Sequence, residues 1–196
     1  MSGDDSIADT LLGDDPRERA ELLERRLFPW TITGKIRVCV ATLFTAVLLF
    51  PTLFARRGLI RTLETRQPDA SLFSTDIATV VLAGVIFTFL FGVILLRQRT
   101  LLFGADLTVA KARRLIRIED LLMTLTVANG VLFVAVPFVL ALIGLAFPES
   151  IAGLYESEVR VYRASAVAID ARVTSLTGAL SGGILAGLEW HGRPDR

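Results

Sequence analysis

The sequence predicts an all-α protein whose helices form a bundle across a membrane, and three observations carry that prediction. The 196 residues are 53% hydrophobic and 21% charged, with a mean hydropathy of +0.58, whereas soluble domains are about 45–50% apolar. Three long stretches contain no charged residue, and basic residues flank them closely, as at lipid headgroups. A soluble α-helical domain is the alternative, but its helices normally keep a polar stripe.

The three uncharged stretches have the length that a membrane-spanning helix needs. A bilayer core about 30 Å thick is crossed by roughly 20 apolar residues in an α-helix. The stretches run over residues 38–55, 77–96 and 121–147. They predict three strongly apolar spans.

A fourth uncharged stretch, residues 173–188, is less apolar because it contains serine, threonine and four glycines. Gly178 and Gly182 form one GxxxG pair, and Gly183 and Gly187 form a second. Such pairs let membrane helices approach each other closely. The pattern predicts a fourth, weaker span that packs through these glycines; a flexible Gly/Ser-rich surface segment is the alternative.

The residues before the first span divide into two parts. Residues 1–14 are polar and acidic, which predicts a disordered tail. Asp15 and Pro16 are typical of a helix start, and apolar residues then share one face, so residues 15–37 are predicted to form a short helix at the cytoplasmic membrane surface. A solvated helix without membrane contacts is the alternative. The membrane domain is then residues 38–196.

The distribution of basic residues predicts the orientation. Residues 1–37, 97–120 and 190–196 hold 14 of the 21 Lys and Arg residues. With four spans these segments share one side, which the positive-inside rule assigns to the cytoplasm together with the N-terminus. Arginine outnumbers lysine nineteen to two, as in proteins from GC-rich genomes, which favours the plasma membrane of a prokaryote.

Arginines between the second and third spans predict a contact with lipid. Arg113, Arg114 and Arg117 fall on one arc of a helix that leads into the third span, where they would meet anionic headgroups. A nucleic-acid partner is disfavoured because the patch is short, lacks stacking aromatic residues, and belongs to a chain of net charge +1.

Polar residues within or next to the spans are the remaining site candidates. Asn129 lies in the third span, where it predicts an interhelical hydrogen bond or, alternatively, a pore contact. Asp170 and Arg172 stand at the entrance of the fourth stretch, in the outer headgroup region. If that helix were shifted inward, they would instead be a buried pair and a site.

Residues 155–180 carry apolar side chains at alternating steps of four and three, a heptad-like pattern. This face packs on the bilayer surface or on helices of the same chain, or it forms a coiled coil between chains.

The sequence predicts no catalytic, cofactor-binding or metal-binding residue. It has one cysteine, Cys39, and one histidine, His191, and no phosphate-loop, dinucleotide-binding, HExxH or GxSxG motif. We therefore expect a non-catalytic accessory or scaffold subunit that acts through helix packing, with lipids and further copies or another membrane protein as partners. A small oligomeric channel or transporter is the alternative, and a membrane enzyme comes third.

Overall fold

The computed structural model is helical throughout most of its described part. It describes residues 27–55, 76–102, 108–139, 142 and 169–192. The helices, numbered here in chain order, are α1 Ile32–Val47, α2 Leu49–Ala55, α3 Asp76–Leu102, α4 Val109–Asn129, a π-helix Gly130–Ala135 and α5 Ala171–His191. The predicted tail 1–14, residues 15–26 and the heptad-like pattern before residue 169 lie outside the described residues.

Three helical segments of the described chain are long and apolar enough to cross a membrane: Ile32–Ala55, Asp76–Leu101 and Val109–Val139. No more than 33% of the most apolar window of each is buried inside the protein. The other apolar side chains, such as Ile86, Phe87 and Leu90, face outward. Apolar surface of this extent is stable against lipid and not against water. The predicted fold class, an all-α bundle of membrane helices, is confirmed.

The helices alternate in direction. Arg37 lies near Glu189 at the end of α5, whereas the Ala46 carbonyl accepts a hydrogen bond from Ser175 near the start of α5, so α1 and α5 are antiparallel. Contacts from Thr174 to Ala78 and from Arg99 to Gly192 make α3 and α5 parallel. Contacts from Lys35 to Asp120 and from Cys39 to Thr126 make α1 and α4 parallel. The start of α1, the ends of α3 and α5 and the first half of α4 therefore meet at one end, called the basic end here.

Helix α5, the predicted fourth span, lies against both α1 and α3 along its length. It is not among the three segments apolar enough to cross a membrane on composition alone. Its membrane crossing stays a prediction.

The first span begins earlier than the uncharged stretch indicates. Helix α1 starts at Ile32, where the Thr31 hydroxyl accepts a hydrogen bond from the Gly34 amide at 3.2 Å and caps the helix. Lys35 and Arg37 thus belong to the spanning helix, and the predicted surface helix 15–37 does not extend to residue 37. At the other end, α1 stops at Val47. Pro51 stands four residues later and has no N–H that could donate to the Val47 carbonyl.

Candidate functional site

A buried cluster of charged side chains ties α1 to α4 at the basic end. Lys35 Nζ lies 2.8 Å from Glu119 Oε1 and 3.0 Å from Asp120 Oδ1. Lys35 and Glu119 are each 1% exposed. The other oxygen of Asp120 accepts the Leu27 N–H at 3.0 Å, so the same carboxylate also anchors the chain that leads into α1.

The charges of this cluster are only partly satisfied. The Lys35–Glu119 contact is close but not aligned as a hydrogen bond, and neither oxygen of the buried Glu119 carboxylate has a hydrogen-bond partner among the described residues. A charge buried without partners is costly, and ionisable residues inside membrane bundles are therefore often functional. Sequence reasoning placed all three residues outside the spans and missed the cluster.

Helical spacing was the signal that could have found the cluster. Ala112, Ile116, Met123 and Thr126 form the buried face of α4, and Glu119 continues that face at steps of three and four residues. Lys35 likewise follows Ile32 and precedes Cys39 on the buried face of α1.

Asn129 connects the third span to the second. Its side-chain amide donates to the Gly84 carbonyl at 2.8 Å and to the Thr88 hydroxyl at 2.7 Å. Both N–H groups of the amide are therefore used in hydrogen bonds to α3. An interhelical hydrogen bond was one of the two interpretations of this residue from the sequence. The π-helix begins directly after Asn129.

Hydroxyl groups make similar connections from α5. Thr174 donates to the Ala78 carbonyl of α3 at 3.0 Å. Ser175 Oγ accepts a hydrogen bond from the Phe50 N–H at 3.0 Å. The same hydroxyl group donates to the Ala46 carbonyl at 3.4 Å. Such bonds join membrane helices because no water competes for the same groups.

The two GxxxG pairs of α5 have different surroundings. A Cβ atom on Gly178 would lie 3.0 Å from the Leu43 carbonyl oxygen, and one on Gly182 would lie 3.3 Å from the Phe44 ring. Gly178 and Gly182 therefore allow the close approach of α1. A Cβ atom on Gly183 or Gly187 would have no described atom within 4 Å. The first pair thus packs against α1, whereas the second pair has no neighbour among the described residues, and its role in helix packing stays a prediction.

Helix α3 contains glycines that the sequence analysis did not single out. A Cβ atom on Gly84 would lie 2.7 Å from Phe133 Cβ, and one on Gly92 would overlap Leu185. With Thr88 between them at four-residue spacing, these small residues let the π-helix and α5 approach α3.

Asp170 and Arg172 do not form a buried pair. The Asp170 carboxylate caps α5 by accepting the Arg172 N–H at 2.7 Å. The Arg172 side chain is exposed, and its guanidinium carbon lies 5.6 Å from the centre of the Phe50 ring. Both residues lie at the end of the bundle opposite the basic end.

Arg113, Arg114 and Arg117 lie together on the first turns of α4. With Val109 and Ala110 they line an open groove of about 610 Å³. Arg114 and Arg117 are exposed, and Arg113 is half-buried. Arg99 has a different role at this end, since its guanidinium donates to the Gly192 carbonyl at 2.7 Å and caps the end of α5.

The described residues contain no group of three or more acidic, histidine or cysteine side chains placed to hold a metal ion. Together, the outward apolar surface and the interior polar bonds define a bundle of membrane helices. No family model, curated protein or solved structure matches the chain.

Proposed function

We propose that this protein is a non-catalytic accessory or scaffold subunit of a membrane assembly, which acts through the packing of its helices. The observation that carries the proposal is the use of the polar side chains inside the spans. Asn129, Thr174 and Ser175 each bond a neighbouring helix, and so does the Lys35 cluster. The hydrogen-bonded side chains of Asn129, Thr174 and Ser175 thus hold helices together and are occupied by protein groups.

The outward glycines of α5 support association with a further helix. Gly183 lies beside Leu180 and Ile184, whose side chains are more than half exposed. A small residue among larger apolar ones lets another membrane helix approach closely. The partner in this proposal is another membrane protein or a second copy of the chain.

We propose a location as well. We place the protein in the plasma membrane of a prokaryote, with the basic end and the N-terminus at the cytoplasmic surface and α5 as the fourth span. The clustering of Arg37, Arg99 and the α4 arginines at one end supports this orientation, because cytoplasmic segments carry excess Lys and Arg.

Gentle detergent extraction followed by native mass measurement tests the proposal. We expect the chain to co-purify with a foreign membrane subunit or with a second copy of itself in fixed stoichiometry, and Gly183→Leu to abolish that association. Ala128→Leu, which adds the same side chain at an exposed position of α4, is the matched control and retains the partner. A pure homo-oligomer that conducts ions in liposomes would contradict the proposal and favour the channel.

A further inference from the structure

Both tryptophans of the chain, Trp30 and Trp190, lie at the basic end. Trp30 stands two residues before the start of α1, and its side chain is 48% exposed. Trp190 is in the last turn of α5 and is 67% exposed. The chain thus presents both of its indole rings on the outside of the bundle at one end.

Contacts of α1 and α5 place the two tryptophans at similar depths. A Cβ atom on Gly34, in the first turn of α1, would lie 3.7 Å from Trp30 Cβ. Arg37, three residues further along the same helix, lies 3.9 Å from the carboxylate of Glu189, the residue before Trp190. Three residues of an α-helix rise about 4.5 Å, so the backbones of the two tryptophans lie within about one helical turn of each other along the bundle.

Both residues lie where the outward apolar surface of the bundle ends. Trp30 stands just before the segment Ile32–Ala55, which is long and apolar enough to cross a membrane. On α5, Ile184 and Leu188 are more than half exposed and continue the apolar surface up to the last turn, which contains Trp190. Lipid covers the outward surface of a membrane bundle, so the end of that surface lies at the edge of the hydrocarbon core.

The chemistry of tryptophan suits that depth. Its ring is large and apolar, but its indole N–H is a hydrogen-bond donor, and tryptophan is therefore enriched where a membrane meets water. The Phe28 ring lies 5.8 Å from the Trp30 ring, between centroids, and enlarges the aromatic surface. Two such rings from different helices at one depth match a planar lipid interface.

We infer that Trp30 and Trp190 form the contact of the basic end with the lipid interface, where their rings lie between the hydrocarbon core and the headgroups. The partner of this surface is the bilayer itself. Lys35 directly follows Gly34, so the buried cluster of Lys35 and Glu119 lies at nearly the same depth. Its charges are therefore at the edge of the hydrocarbon core, where a charge costs less than at the centre.

Depth-dependent quenching of tryptophan fluorescence tests this inference. The full-length protein is reconstituted in phosphatidylcholine vesicles that carry bromine either near the glycerol end of the acyl chains or near their methyl end. Trp190→Phe leaves Trp30 as the only tryptophan, and Trp30→Phe leaves Trp190; phenylalanine keeps an aromatic ring at each position. We expect both variants to lose more fluorescence to the shallow bromines than to the deep ones.

The matched control is Leu90→Trp in a chain that also carries Trp30→Phe and Trp190→Phe. Leu90 is 48% exposed and lies near the middle of α3. The introduced ring therefore meets the centre of the hydrocarbon core, and we expect it to lose more fluorescence to the deep bromines. This reversed order shows that the quenchers report depth in the same bundle.

Three results would overturn the inference. Quenching of either native tryptophan by aqueous iodide but not by brominated lipid would place its ring in water. Resistance to both quenchers would show that protein covers the ring, and stronger quenching by the deep bromines would place it within the hydrocarbon core. The purified protein is used without a foreign partner, so the result does not depend on the proposed assembly.

Discussion

Lys35, Glu119 and Asp120 show how a few charged residues fix the relative position of two membrane helices. Taking charges out of water is costly, and close opposite charges offset that cost only when geometry is good. Here the lysine has two carboxylates within 3.0 Å, and Asp120 also accepts a backbone N–H. The cluster therefore specifies which faces of α1 and α4 meet, whatever its net contribution to stability.

Removing the lysine leaves two buried carboxylates without their cation. We expect Lys35→Met to lower the free energy of unfolding by about 3–5 kcal/mol, the usual cost of breaking a buried ion pair from one side. Denaturation of the purified protein in detergent measures this change.

Arg37→Met is the control for that measurement. The Arg37 side chain is 62% exposed and lies 3.9 Å from Glu189, so we expect a loss below about 1 kcal/mol. Equal effects of the two substitutions would show that the cluster is not buried as described.

Asn129 gives a second prediction at this scale. Its bond to Thr88 is 2.7 Å long and lies between α4 and α3. In a double-mutant cycle with Asn129→Leu and Thr88→Val, we expect a coupling energy of about 0.6–1.7 kcal/mol, the range measured for hydrogen bonds between membrane helices. A coupling energy near zero, together with altered ion flux in liposomes, would support the pore interpretation instead.

Among single residues, the sequence predicted the role of Asn129 in part. The interhelical role of Asn129 was one of two stated alternatives because a lone amide in an apolar span needs a partner from another helix. The Lys35 cluster was missed because Lys35 lies 84 and 85 positions from its partners in the sequence. Each charge also stands next to an uncharged stretch, where a headgroup contact explains it equally well.

At the scale of elements, α5 uses one glycine pair inside the bundle and directs the other outward. We expect Gly178→Leu to destabilise the protein by about 1–3 kcal/mol or more, because the new side chain has to displace the Leu43 backbone of α1. Thermal unfolding in detergent measures the effect.

Gly183→Leu is the matched substitution on the same helix. No described atom lies within 4 Å of the added Cβ, so we expect the unfolding free energy to change by less than about 0.5 kcal/mol. If the Gly183→Leu variant no longer associates with a partner, the loss is then due to impaired assembly and not to impaired folding. Equal destabilisation by both substitutions would contradict the assignment of the two faces.

Spacing in one helix could not distinguish these faces. Both GxxxG pairs follow the same rule, and only the position of α1 decides which pair is covered. Gly84 and Gly92 of α3 were missed for the related reason that their neighbours, Phe133 and Leu185, come from distant parts of the chain. The core of the second span was predictable, since α3 begins at Asp76, one residue before the uncharged stretch. The end of the second span and the start of α1 could not be predicted, because both helices continue beyond the uncharged stretch into charged residues.

For the whole molecule, the described helices α1, α3, α4 and α5 alternate in direction. With α5 as a span, these four helices cross the membrane, and the start of α1 and the end of α5 lie on the same side, at the basic end. We expect reporter fusions at residue 1 and residue 196 to be active on the cytoplasmic side only. Activity of the two fusions on opposite sides would show that α5 does not cross.

The central claim is that lipid is the solvent for the outward side chains of these helices. The most direct measurement is the behaviour of the full-length protein in isolated membranes and in buffer. We predict that it stays in the membrane pellet after an alkaline wash and becomes monodisperse only when detergent is added. A stable, monodisperse species in buffer free of any amphiphile would contradict the account.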